Sequence, residues 1–190
     1  MTAPVAFLTG EYPRATDTFI QREVAGLRAQ GLEVLTCSIR RTDPAQQVSE
    51  RQRAEAAATF HVLETAKSPL RLARAHLGWI ARAPGRWLRT LGLAARTAPP
   101  GIRGGLWQLF YFLEAGVLAE HLRASGAGWL HHHFADSSGS VALLAAEIAG
   151  LPRSFTLHGP AEFYAPEKWR LDVKIARARF VACISHFARS

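Results

Sequence analysis

Three consecutive histidines, His131, His132 and His133, stand in the stretch WLHHHFADSSGS (129–140). An imidazole can ligate a metal, move a proton near neutral pH or activate a hydroxyl. In a strand, successive side chains take opposite faces, so His131 and His133 share one face and His132 takes the other. Two imidazoles so spaced hold zinc only if a third ligand joins them after folding, and Asp136, His158 and Glu162 are candidates. No HExxH spacing and no His/Cys pairing demands a metal, so none is expected. The following DSSGS lacks the GxSxG elbow of a serine hydrolase; it reads as a helix start with Asp136 or Ser137 as cap. The triplet is therefore expected to end a strand that opens onto a cleft, with His133 facing it.

Two further stretches sit where strands should end. TGEYPRATDT (9–18) has Gly10 alone where a dinucleotide-binding loop carries GxGxxG, and the chain has no GxxxxGK[ST] phosphate loop. A helix N-terminus after this loop would still favour an anion. SFTLHG (154–159) puts His158 and Gly159 at a strand's carboxyl end, where open α/β sheets bind ligands.

The elements that must position these residues alternate. An apolar run at 4–9 reads as a buried strand. Residues 18–30 read as a helix capped by Thr18 with Gln21 three residues on, its face formed by Ile20, Val24 and Leu27, and Gly31 as its stop. A second strand follows at 32–40. The grammar recurs: strand 129–134, a helix with Val141, Leu144, Ala145 and Ile148 on one face, strand 153–159, helix 166–178 and strand 179–185. Two such βαβ runs predict a doubly wound α/β domain with a parallel sheet. Between them, 43–58 reads as loop or exposed helix, 59–64 as a short strand, and 67–123 as helical pieces broken at 83–85 and 98–105.

The chain has 190 residues, enough for one ordinary domain with a real core. Cys37 and Cys183, far apart in apolar runs, suggest neither a disulfide framework nor a zinc ribbon. The most apolar stretch, 106–119, contains Gln108 and Glu114 and falls short of the roughly 20 residues of a bilayer span. Net charge is +8, and residues 67–123 hold nine Lys/Arg against two acids. On one helical wheel, Arg71, Arg74, Arg82, Arg86, Arg89 and Arg96 fall on one side, with Leu77, Ile80, Trp87, Leu88 and Leu91 opposite. Such a stripe is either a solvated face over a core or a surface for anionic lipid. Nucleic acid is not expected, because no aromatic RNP or helix-turn-helix signature accompanies the arginines.

EYPRATDTFIQREVAGLRAQGLEV (11–34) resembles the opening of bacterial family 4 glycosyltransferases of the exopolysaccharide, colanic-acid-like type. Their pattern runs roughly Y-P-x-x-S-E-T-F-I-x-x-E-I-x-x-L-x-x-x-G. Tyr12, Pro13, Thr18, Phe19, Ile20, Glu23, Leu27 and Gly31 match it, Thr16 and Asp17 stand in the S-E places, and Val24 replaces an isoleucine. Residues 131–159 resemble the family's H-x-H-F-A…G-x-P-x-S-x-T-x-H-G through His131, His133, Phe134, Ala135, Gly150, Pro152, Ser154, Thr156, His158 and Gly159. ARFVACISHFAR (178–189) resembles the strand-to-helix step near the end of that family's first domain.

The resemblance implies a GT-B fold, with two Rossmann-like domains facing a cleft. Residues 1–190, the basic helical insertion included, would be the N-terminal, acceptor-side domain; the nucleotide-sugar domain would lie outside this chain, which alone would be inactive. The implied reaction is retaining transfer of a sugar from a nucleotide-sugar to a glycan or lipid-linked acceptor in polysaccharide biosynthesis. The nucleotide-sugar is a co-substrate, and no metal or other cofactor is implied. Thr9, Gly10, Tyr12 and Thr18 would line the acceptor side, His133, Phe134 and Gly159 the cleft, and His158 would contact the transferred sugar or an acceptor hydroxyl. The expected location is cytoplasmic, peripheral at the inner face of the membrane. The rival expectation is a non-catalytic Rossmann-like module that docks on an anionic membrane surface or a partner protein; an α/β hydrolase is more distant.

Overall fold

The computed structural model of the protein describes residues 2–189. β1 (Val5–Tyr12), α1 (Thr18–Ala29) and β2 (Val34–Arg41) form the first βαβ unit. β1 runs past its apolar core because Glu11 and Tyr12 pair with Arg40 and Arg41 of β2. The expected Thr18–Gln21 capping box does not form. Asp17 occupies the cap position, but its carboxylate is held by Arg14, with N···O distances of 2.8 and 3.1 Å. Gln21 Nε2 donates instead to the Arg14 carbonyl at 2.7 Å. The β1–α1 loop is thus held by the Arg14–Asp17 pair and by Gln21 from the first turn of α1.

α2 (Glu50–Ala58) follows a short 3₁₀ turn and carries a Ser49–Gln52 capping box. β3 (Phe60–His61) is only two residues long before the chain turns into α3 (Val62–Ala66). The basic segment forms α4 (Pro69–Arg82), α5 (Pro84–Thr97) and α6 (Ile102–Ala124), with breaks where the Pro and Gly residues predict them. β4 (Trp129–His133), α7 (Ser137–Ala149) and β5 (Arg153–Leu157) make the second unit. Asp136 caps α7 through its carboxylate, which accepts from Ser138 N at 2.8 Å, and Gly150 ends it in the left-handed region at φ 71°. The expected helix 166–178 is divided at Arg170, which adopts φ 48°. The chain continues through α8 (Pro160–Phe163), α9 (Pro166–Trp169), α10 (Leu171–Ala176), β6 (Phe180–Cys183) and α11 (His186–Arg189).

All strand pairs are parallel, in the order β3-β2-β1-β4-β5-β6. The first half winds outward from β1 in one direction, and the second starts at β4 on the other side of β1. This is a Rossmann-like doubly wound sheet, as the alternation of elements predicts. The strand order reverses between β1 and β4, so a crevice lies beyond their carboxyl ends.

Alternation along β1 builds two cores. Phe7 meets Ile20 and Val24 of α1 on one face, while Ala6 and Leu8 join Leu130 and the α6–α7 layer on the other. Leu118, Leu122, Leu144 and Ile148 are fully buried there, each worth about 1.5–3 kcal/mol of transfer free energy. α4, α5 and α6 meet at His76. Trp87 Nε1 donates to His76 Nδ1 at 3.0 Å, which leaves Nε2–H to donate to the Leu113 carbonyl at 3.0 Å. Gly116 lets that ring approach, because a Cβ at 116 would overlap it.

The arginine stripe is not continuous. Ala83, at φ −149° and ψ 61°, separates α4 from α5 and resets the helical phase. Arg74 and Arg82 line one groove with Leu70 and Leu77, and Arg82 pairs with Glu120 at 3.2 Å. Arg86 and Arg89 line another beside Arg153, with Arg86 donating to the Ala149 carbonyl. Leu77 and Leu88, placed opposite the arginines by the wheel, are exposed rather than buried in the core. No helix among the described residues is long and apolar enough to cross a membrane.

Candidate functional site

β4 and β5 deliver the histidines to the carboxyl edge of the sheet beside the reversal point. The ladder pairs His131 with Ser154, His132 with Phe155 and His133 with Thr156. The alternation holds: His131 and His133 pack with Phe7 on the α1 side. His132 lies on the opposite face, stacked on Phe155 at 4.9 Å.

All three imidazoles are buried. This corrects the expectation that His133 faces the cleft, since its side chain is 0 % exposed. Burial, then His131 and His158, push the His133 pKa down to about 3, so the ring is neutral at pH 7. Burial likewise pushes His131 down to about 4, and its two nitrogens meet Ser154 Oγ at 2.8 Å and Thr156 Oγ1 at 3.1 Å. His132 is fixed by its partners. Arg153 Nη1 can only donate, so His132 Nε2 accepts from it at 2.8 Å and Nδ1–H donates to the Phe134 carbonyl at 2.9 Å.

That last bond holds an uncommon backbone. Phe134 sits at φ 69°, a region bulky residues avoid. Held there, its ring lies 4.5 Å from the His158 ring, and Phe19 approaches the same imidazole at 4.8 Å. His133 Nδ1 and His158 Nε2 are hydrogen bonded at 2.9 Å. His158 is therefore oriented by two phenyl rings and one imidazole, while its Nδ1 has no partner among the described residues. The ring is half-buried; burial lowers its pKa and Asp17 pulls the other way.

Two buried charges brace the turns around this ring. Glu162 accepts from His158 N at 2.7 Å, from Gly159 N at 3.1 Å and from Ala135 N. It ties the end of β5 to the turn after β4. Lys174 Nζ donates to the Ala135 and Asp136 carbonyls at 2.6 and 2.8 Å, and burial pushes its pKa down to about 7. Both carboxylates offered as third metal ligands are thus committed to backbone or cap contacts.

The remaining expected site residues divide. Gly159, at φ 138°, shapes the turn behind His158. Thr18 is exposed at the start of α1, next to Phe19. Gly10 is partly exposed within β1. Thr9 and Tyr12 are buried, contrary to the expectation that they line an open acceptor side. The Thr9 hydroxyl donates to the Glu11 carbonyl, and Tyr12 packs with Phe7, Ile20 and Val24, its phenol pKa raised by burial. Phe19 was legible only as a match to the resemblance and Glu162 only as a candidate metal ligand, not as the brace it proves to be; Lys174 went unnamed, because a lone charge on a helix carries no spacing signature before folding.

No family model and no curated protein matches the chain. The site therefore stands on its geometry. A second concavity, of about 580 Å³, opens between α6, the first turns of α7 and α9. Its walls include Arg40, Arg103, Lys168, Trp107, Tyr111 and Trp169. Cations and aromatic faces with no carboxylate in the lining suit an anionic ligand that carries a flat or sugar-like surface.

Proposed function

We propose that this chain is the acceptor-side Rossmann-like domain of a retaining, nucleotide-sugar-dependent glycosyltransferase that acts on a glycan or lipid-linked acceptor in polysaccharide biosynthesis. The observation that carries the reading is His158. Its ring stands at the carboxyl end of β5, clamped by Phe19, Phe134 and His133, with one nitrogen unengaged among the described residues. A neutral imidazole held this way can accept from or donate to a sugar hydroxyl without reorganising when the transferring sugar arrives. The resemblance to family 4 glycosyltransferases supplies the reaction, and its matching residues, Phe19, His133, Phe134 and His158, are the ones in this clamp. In such an enzyme the donor is held by a second domain across the cleft. Protein groups here orient hydroxyls; no protein nucleophile is part of the proposal.

The test is transfer of labelled sugar from a panel of nucleotide-sugars to bacterial lipid extract by the intact protein. Incorporation that disappears in His158→Ala while the fold is retained supports the reading; no incorporation with any donor, or full activity of the variant, removes it.

The cation-and-aromatic concavity favours a second reading. In it, the domain docks on an anionic membrane surface or partner without catalysis, through Arg40 and Arg103 rather than through a single stripe on α4 and α5.

A further inference from the structure

Glu23 of α1 joins His131 and His133 in a cluster that the contacts above leave unexplained. One ligand atom from each lies within 4.8 Å of the others. His133 Nε2 has no hydrogen-bond partner among the described residues, and its side chain is 0 % exposed. Buried polar atoms left alone are rare. The facing oxygen, Glu23 Oε2, is 3.6 Å away. That is too long for a hydrogen bond, which has its N···O distance at about 2.7–3.2 Å. It is the separation of two donors around one tetrahedral zinc, where bonds of about 2.0–2.2 Å put neighbouring ligand atoms roughly 3.3–3.6 Å apart.

The other contacts of the two rings fit the same geometry. A metal-bound imidazole carries its second nitrogen on a hydrogen-bond partner that fixes the ring. His133 Nδ1 is on His158 Nε2, and His131 Nδ1 is on Ser154 Oγ. His131 Nε2 meets the hydroxyl of Thr156, the residue paired with His133 across the ladder, and is the nitrogen that would face the cation. The Thr156 hydroxyl rotates away when that nitrogen takes a cation. The Glu23 side chain is 42 % exposed, which leaves the outer coordination position to water.

We propose that Glu23, His131 and His133 bind one divalent cation of the zinc type, joining α1 to β4 behind His158. The site reaches the His158 ring through one bond. A cation on His133 Nε2 leaves the proton on Nδ1, which then donates to His158 Nε2. Without a cation, Nε2–H faces the Glu23 carboxylate, Nδ1 accepts, and the His158 tautomer is reversed. The inference stands whether or not the protein transfers sugar, because its readouts are binding and tautomer state.

The test is calorimetric titration of the chelator-stripped chain with Zn²⁺ at neutral pH, with ¹⁵N spectra of the imidazoles. One equivalent should bind with micromolar or tighter affinity, and the His133 and His158 resonances should exchange tautomer signatures. Glu23→Gln, at a half-exposed helix position that leaves the fold intact, should weaken binding by at least about tenfold. No uptake at about 100 μM Zn²⁺, or uptake that Glu23→Gln leaves unchanged, overturns the proposal.

Discussion

His133 Nδ1 and His158 Nε2 face each other at 2.9 Å across the carboxyl ends of β4 and β5. One ring is sealed in the sheet and the other reaches the edge. The buried ring cannot turn, because His131 and Phe7 pack against it. It therefore fixes the orientation of the outer one. The outer ring has the free nitrogen and can meet a ligand.

His158→Ala in the intact protein should lower sugar transfer roughly 10²- to 10³-fold, the range for a positioned hydrogen-bonding or proton-transferring group. Its melting temperature should fall only modestly, because loss of the half-buried ring leaves His133 Nδ1 without its partner but strands no main-chain group. Steady-state rates beside a thermal melt decide this. A drop in stability that matches the drop in activity would make His158 a packing residue.

Glu162→Ala should cost about 2–4 kcal/mol of unfolding free energy, because one buried and two partly buried backbone N–H groups lose their acceptor at once. Glu162→Gln keeps one acceptor oxygen and should recover part of the loss. Urea unfolding of the two variants measures the difference. Equal stability of Ala, Gln and wild type would show that water replaces the carboxylate.

Much of the fold was legible before folding because the relevant signals are local. The apolar run at 4–9, the Ile20/Val24 face and Gly31 mark the first βαβ unit, and Asp136 and Gly150 bracket α7 as expected. The alternation of His131, His132 and His133 was legible for the same reason. That none of them reaches solvent was not, because their burial depends on Phe7 and on Phe19 of α1 arriving over the strand ends. The Thr18 cap failed because the helix begins one residue earlier, with Asp17 at the cap position and its carboxylate held by Arg14, a loop contact with no periodicity. The arginine stripe assumed one helical phase across Pro84, and a break at Ala83 removes it.

Gly116→Ala should destabilise the protein by about 1–3 kcal/mol, the usual cost of forcing a methyl into a packed interface. The methyl would displace the His76 ring, which is hydrogen bonded to both Leu113 O and Trp87 Nε1. Chemical denaturation measures it. A neutral outcome would mean that α4 and α6 separate without strain.

The concavity lined by Arg40 and Arg103 should confer salt-sensitive binding to anionic vesicles. Arg40→Glu with Arg103→Glu should abolish binding at low salt, and about 1 M salt should do the same to wild type, since the screening length falls to about 3 Å. Co-sedimentation with anionic and neutral vesicles is the measurement. Equal binding to neutral vesicles would remove the electrostatic reading.

Glu114 supplies the pH prediction. Burial pushes its carboxyl up to about 7 from an ordinary 4.5, against the pull of Arg40, and its Oε2 has no hydrogen-bond partner among the described residues. Between those two values the folded chain keeps a proton that the unfolded chain releases. The folded state then binds more protons, so Glu114's contribution to stability falls as pH rises through that window. Glu114→Gln mimics the protonated acid and escapes the loss. The variant should match wild type near pH 4 and be more stable above pH 7, by on the order of 2 kcal/mol. Urea unfolding at the two ends of this range decides it, and a stability gap independent of pH would show that Glu114 titrates alike in the folded and unfolded chain.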